Sequence, residues 1–218
     1  MLVLRRLAPP GAKLLSAWTR SFGLVEFAGH WPSLEKQQFE SDMRVIQDFV
    51  TAEEEELLIR EIEPHISRLP YESSHWDDAI HGYREVERKK WSPENRDVLN
   101  RVSTVAFDGQ VMPFVHILDL AEAGVIKPHV DSTRFCGHTI AGISLLSDCV
   151  MRLKRVPEDP STASHSADLL LPCRSLYIMS TLARYKFTHE ILASEQSWFK
   201  ERLVKRGRRV SVICRNEP

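Results

Sequence analysis

The chain has 218 residues, 43% of them apolar, enough for one good-sized core in a single domain with a tail. Its formal net charge of −1 gives no global pull toward nucleic acid, so strong DNA binding is not expected. The widely spaced Cys136, Cys149, Cys173 and Cys214 form no C-x-x-C and suggest neither a zinc ribbon nor a disulfide framework. No run of 18 apolar residues predicts a membrane span.

Residues 1–25 are basic through Arg5, Arg6, Lys13 and Arg20, and the first acidic residue is Glu26. That composition predicts a mitochondrial transit peptide and a matrix address, with a basic tail of no address as the alternative. Residues 26–43 read as an irregular lead-in, so the folded domain is expected over 44–216. Thr51 and Glu54 have capping-box spacing, with Phe49 just upstream. The helix they open is predicted to run to about Ile66, with Leu58, Ile62 and His65 on one face.

From Tyr71 to Trp91 the chain is aromatic and polar. It carries one His-x-Asp, His75-Trp76-Asp77, which is a common spacing and weak by itself. Trp76, Tyr83 and Arg84 are candidates either for a short lid or for ordinary packing. Ser92-Pro93 predicts a second helix start, followed by the core positions Val98, Leu99, Val102 and Ala106, with Gly109 closing it.

The pattern then changes to strands. Phe114, His116, Leu118 and Leu120 alternate onto one face. Further strands are predicted over residues 139–146, 150–155, 168–171, 175–179 and 209–215, with a polar surface loop over 160–166. Many short strands preceded by helices predict an α+β, mainly β fold, a β-sandwich or jelly roll with N-terminal helices packed on one sheet.

A second His-x-Asp, His129-Val130-Asp131, follows the first of these strands. Residues i and i+2 of an extended segment share a face, so one imidazole and one carboxylate can reach the same cation. A two-His, one-carboxylate iron centre needs one more histidine. His189 is the candidate, with a structural histidine as the alternative. In the last strand, Arg209, Ser211, Ile213 and Arg215 share one face and Val210, Val212 and Cys214 the other. Two guanidiniums facing a core call for an anion, and a dicarboxylate matches their planar forks; the alternative is a solvent-exposed terminal strand with a solvated charge run over 205–209.

His-x-Asp, a distant His and R-x-S-x-x-x-R together resemble the AlkB family of iron(II)- and 2-oxoglutarate-dependent dioxygenases, from about Phe49 to Arg215. The stretches IKPHVDS, TIAGISLLS, SLYIM and RGRRVSVICR share in the likeness. The resemblance implies a double-stranded β-helix with iron(II) on His129, Asp131 and His189. It implies 2-oxoglutarate on Arg209, Tyr177, Ser211 and Arg215, with O2 as the other reactant. The chain departs from the family where many members carry Asn-x-Tyr, here Leu118 and Leu120, and where a common glycine is Thr181. The near-neutral charge and short lid region favour oxidation of a protein substrate, and the resemblance implies links to fatty-acid metabolism and programmed necrosis. A methylated mitochondrial RNA is the alternative substrate, and a non-catalytic β-sandwich binding module is the rival from another class.

Overall fold

The structure, a computed structural model, describes residues 23–218 except 74, 76–77, 108–110 and 158–163. Residues 1–22 of the expected transit segment, Trp76, Asp77, Gly109 and most of the 160–166 loop lie outside the described residues.

The lead-in is not irregular. It forms strand β1 (Val25–Ala28), helix α1 (Ser33–Asp42) and strand β2 (Met43–Ile46). β1 adds to the sheet beyond a later strand, and Phe39 of α1 is buried in the core. The folded unit therefore starts upstream of residue 44.

Helix α2 (Ala52–Ile66) begins with the expected capping box. Glu54 N–H donates to Thr51 Oγ1 at 3.1 Å, and Thr51 N–H donates to Glu54 Oε2 at 2.9 Å. Its buried row is Leu58, Ile62 and Ile66 at i, i+4, i+8; His65 is exposed rather than sharing that face. Strand β3 (Ile80–Arg88) occupies the aromatic, polar stretch. Helix α3 (Pro93–Ala106) starts at the Ser92 cap, and the Asn95 amide donates to Leu57 O and Glu61 Oε2, tying it to α2.

The remaining strands are β4 (Val115–His129), β5 (Thr139–Leu145), β6 (Cys149–Arg155), β7 (Ser166–Leu171) and β8 (Ser175–Ser180). A short helix, α4 (Thr181–Lys186), leads into β9 (Phe187–Ile191). A hairpin of β10 (Trp198–Phe199) and β11 (Arg202–Leu203) precedes β12 (Arg209–Arg215). Apart from that hairpin the strands form one antiparallel sheet, in the order β1-β7-β6-β9-β4-β12-β5-β8-β2 with β3 on β4.

This sheet curls into a jelly roll, and strand alternation sorts its side chains into two cores. Leu120, Ile140, Met151, Leu153 and Ile213 fill the inside. Ile117, Ile143, Leu145, Val210 and Val212 turn outward against Leu58, Ile62, Val98 and Val102 of α2 and α3. Each such burial contributes about 1.5–3 kcal/mol before its entropy cost. The inner face of β4, β9, β8 and β12 lines the site.

Candidate metal centre

β4 and β9 pair so that His129 faces His189, with a register shift between Ile126 and His129. Asp131 follows two residues after the end of β4. Asp131 Oδ1 lies 3.2 Å from His129 Nε2 and 3.8 Å from His189 Nε2. One ligand atom from each of the three residues lies within 4.8 Å of the others, and no other such group occurs among the described residues.

His129 Nδ1 lies 2.8 Å from Lys127 O. A carbonyl only accepts, so Nδ1 carries the proton and the Nε2 lone pair faces the cluster. Burial pushes the His189 imidazole down to about 4, with Asp131 opposing, so the ring is neutral. Burial alone would raise the Asp131 carboxyl; the facing His129 and His189 rings and the Arg215 guanidinium outweigh it and hold the carboxyl well below the usual range. Two imidazoles and one carboxylate are a donor set suited to a divalent iron.

Beside the cluster lies a small cavity, open to solvent, lined in part by Leu118, Tyr177, Arg209, Ser211 and Arg215. The expected alternation of β12 holds, since Arg209, Ser211, Ile213 and Arg215 all line it. Arg209 is 2% exposed; its Nε donates to Ser144 Oγ at 2.9 Å, and Nη2 has no partner among the described residues. Arg215 Nη2 donates to His116 Nδ1 at 3.0 Å, and its Nε is likewise buried without a partner. A buried and a half-buried guanidinium, each with an orphaned N–H, fit a small dianion.

Tyr177, on β8, packs against Gly142 of β5, where an added Cβ would come within 2.5 Å of the ring. Burial pushes its phenol up to about 12, with Arg209 opposing, so it stays a hydrogen-bond donor. Where many AlkB members carry Asn-x-Tyr, Leu118 lines the cavity and Leu120 is packed in the core.

Thr181, in place of a common glycine, takes φ +35°, a region that L residues rarely adopt. Buried Asp42 holds it there, accepting from Thr181 Oγ1 and from Leu182 N–H at 2.9 Å. Of the lid candidates, Tyr83 is buried with its hydroxyl donating to Glu72, and Arg84 is paired with buried Asp119 at 2.8 Å. Both serve packing. His75 stands apart from the ligand cluster, 3.9 Å from Glu85.

Sequence reading assigned no role to His116 or Glu85. His116 was visible on the Leu118 face, but its partner 31 residues away was not.

The alpha-ketoglutarate-dependent dioxygenase alkB homolog 7, mitochondrial, of Bos taurus is 53% identical over 172 residues, 78% of this chain and 76% of the bovine protein. The protein of the same name from Mus musculus is 51% identical over 172 residues, with the same coverage of 78% and 76%. The solved structure of OsALKBH1 superposes with a TM-score of 0.53 at 11% identity, covering 80% of this chain and 98% of that one, a likeness of fold. No protein-family model matches the chain.

Sheet, cluster and relatives together define a 2-oxoglutarate-dependent dioxygenase that uses iron(II) and O2. Within that class, the chain belongs to the mitochondrial alkB homolog 7 family.

Proposed function

We propose that this mitochondrial dioxygenase oxidises a protein side chain, with iron(II) held by His129, Asp131 and His189. Asp131 supplies the one negative charge of the ligand set, while the neutral His189 ring gives its lone pair without first losing a proton. Arg209 and Arg215 offset the charge of 2-oxoglutarate, and Tyr177 and Ser211 donate hydrogen bonds to it. The bound metal supplies oxidative decarboxylation of the co-substrate and transfer of oxygen to a substrate carbon. Orphaned Arg209 Nη2 is the observation that carries the co-substrate assignment.

One observation supports a protein substrate over a flipped base. Among the described residues, the lid candidates Tyr83 and Arg84 are committed to packing, and the three ligand side chains remain 13–22% exposed. Extracting and stacking a base needs an aromatic clamp. A methylated mitochondrial RNA is the second reading, supported by an exposed Phe135 under Arg134 in the turn after Asp131. Incubating the iron-loaded enzyme with matched peptide and modified-RNA pools separates them. Product in the peptide pool is expected; turnover of RNA alone would overturn the protein reading.

The proposal extends to a matrix address given by residues 1–25, and to fatty-acid metabolism and programmed necrosis, on the strength of the family likeness. Import assays with and without that segment check the address; deletion should abolish import.

A further inference from the structure

Glu85 and His116 stand beside Arg215 with no part in the assignments above. In the β3–β4 register Glu85 faces Leu118 and Glu87 faces His116, and directly opposed residues project to the same side. Glu85, His116 and Leu118 thus share the cavity side of the sheet, and His116 lines the cavity itself.

Both ring nitrogens of His116 are engaged. Nε2 lies 2.7 Å from Glu85 Oε2, and Nδ1 lies 3.0 Å from Arg215 Nη2. A guanidinium has no acceptor, so Nδ1 must accept. The proton of the neutral ring then sits on Nε2 and is donated to Glu85. That hydrogen bond holds the Glu85 carboxyl below its ordinary value against the opposing effect of burial. The direction is fixed: Arg215 donates to His116, and His116 donates to a carboxylate.

This relay matters because Leu118, next along β4, has no polar group with which to orient anything in the cavity. A free arginine side chain loses much rotamer entropy when it is ordered on a ligand. Tethering Nη2 beforehand removes part of that cost and leaves the unpartnered Nε for the cavity.

We propose that Glu85 and His116 are positioning residues for 2-oxoglutarate, a relay of fixed tautomer that orients Arg215 toward a carboxylate of the co-substrate. The inference rests on the reading of Arg215 as a co-substrate residue. The competing role is a purely structural bridge from β3 through β4 to β12.

The test uses the whole chain, loaded with metal and kept anaerobic, with 2-oxoglutarate affinity read by titration calorimetry and metal affinity read separately. His116→Leu is expected to raise the Kd for 2-oxoglutarate about tenfold and to leave metal affinity within about twofold. His116→Gln, whose amide can accept from Arg215 and donate to Glu85, is expected to restore most of the affinity. Glu85→Leu should weaken binding in the same direction, and the double variant should be no worse than either single one. An unchanged Kd in His116→Leu overturns the relay, as does equal weakening in the Gln and Leu variants, or equal loss of metal affinity.

Where His116→Leu fails to fold, nitrogen NMR of the wild-type histidines decides. His116 is expected neutral with its proton on Nε2; a proton on Nδ1, or on both nitrogens near neutral pH, overturns the relay. Arg215→Met separates the two layers. Unchanged co-substrate affinity there overturns the co-substrate reading and the relay with it. Weakening in Arg215→Met without weakening in His116→Leu overturns the relay alone.

Discussion

Arg209 holds a full positive charge where solvent barely reaches, with the Ser144 hydroxyl as its side-chain partner among the described residues. Such a charge is costly until an anion meets it, and removing one member of a buried charge pair typically costs about 2–5 kcal/mol. Arg209→Met should therefore weaken 2-oxoglutarate binding by at least about thirtyfold while raising the stability of the free protein, both measurable by calorimetry. Tyr177 makes a pH prediction. Its phenol is raised from 10 to about 12, first by burial, so the folded state favours the neutral form. That contribution is complete below pH 10 and is lost as pH rises through 12. Urea unfolding across that range should show the wild type losing up to about 2–3 kcal/mol more than Tyr177→Phe. At this scale the sequence was informative wherever local spacing sufficed, as with His129 and Asp131 at the end of β4 or the 209–215 alternation. Glu85 and His116 escaped it because their meeting depends on the β3–β4 register.

Helix α4 and β9 deliver His189, and their placement hangs on the turn at Thr181. Asp42, at the end of α1, accepts from Thr181 Oγ1, Leu182 N–H and Gln38 Nε2, which pins α1 to α4. From α4, buried Arg184 reaches across to Ser132 O and Cys136 O, at 3.4 Å each, in the turn after Asp131. Asp42→Ala should cost about 2–4 kcal/mol through lost charged hydrogen bonds, and should lower metal affinity as well, since His189 loses its anchor. Thr181→Gly relieves the positive φ and loses one hydrogen bond, so its stability should change by less than about 1 kcal/mol. Denaturant curves and metal titrations on both variants check the contrast. Sequence patterning predicted α2 and α3 from their caps and apolar rows. It missed α1, where Phe39 is the one buried apolar side chain and Pro32 offers no side-chain cap. It missed β3 because IHGYREVER sets polar groups on both faces.

Across the whole molecule, the candidate ligands join β4 to β9, next to each other in the sheet but separated by 58 residues from Asp131 to His189. The curl of the sheet was foreseen only as a class of fold. The pairing of His129 with His189 is a long-range register that no local pattern encodes. A cation held there would bind the folded chain and not the unfolded one, so it should stabilise the protein by mass action. At about one hundred times its Kd the gain is about 2.7 kcal/mol, which for a chain of this size raises Tm by roughly 5–10 °C. Anaerobic iron(II) or manganese(II) should produce this shift, and a chelator should reverse it. 2-Oxoglutarate should add a further rise only when metal is present and Arg209 is intact. In His189→Ala the metal-dependent shift should largely vanish, and in Arg209→Met the metal shift should persist while the co-substrate increment disappears. Equal shifts in all three proteins would place the cation elsewhere and remove His129, Asp131 and His189 as its ligands.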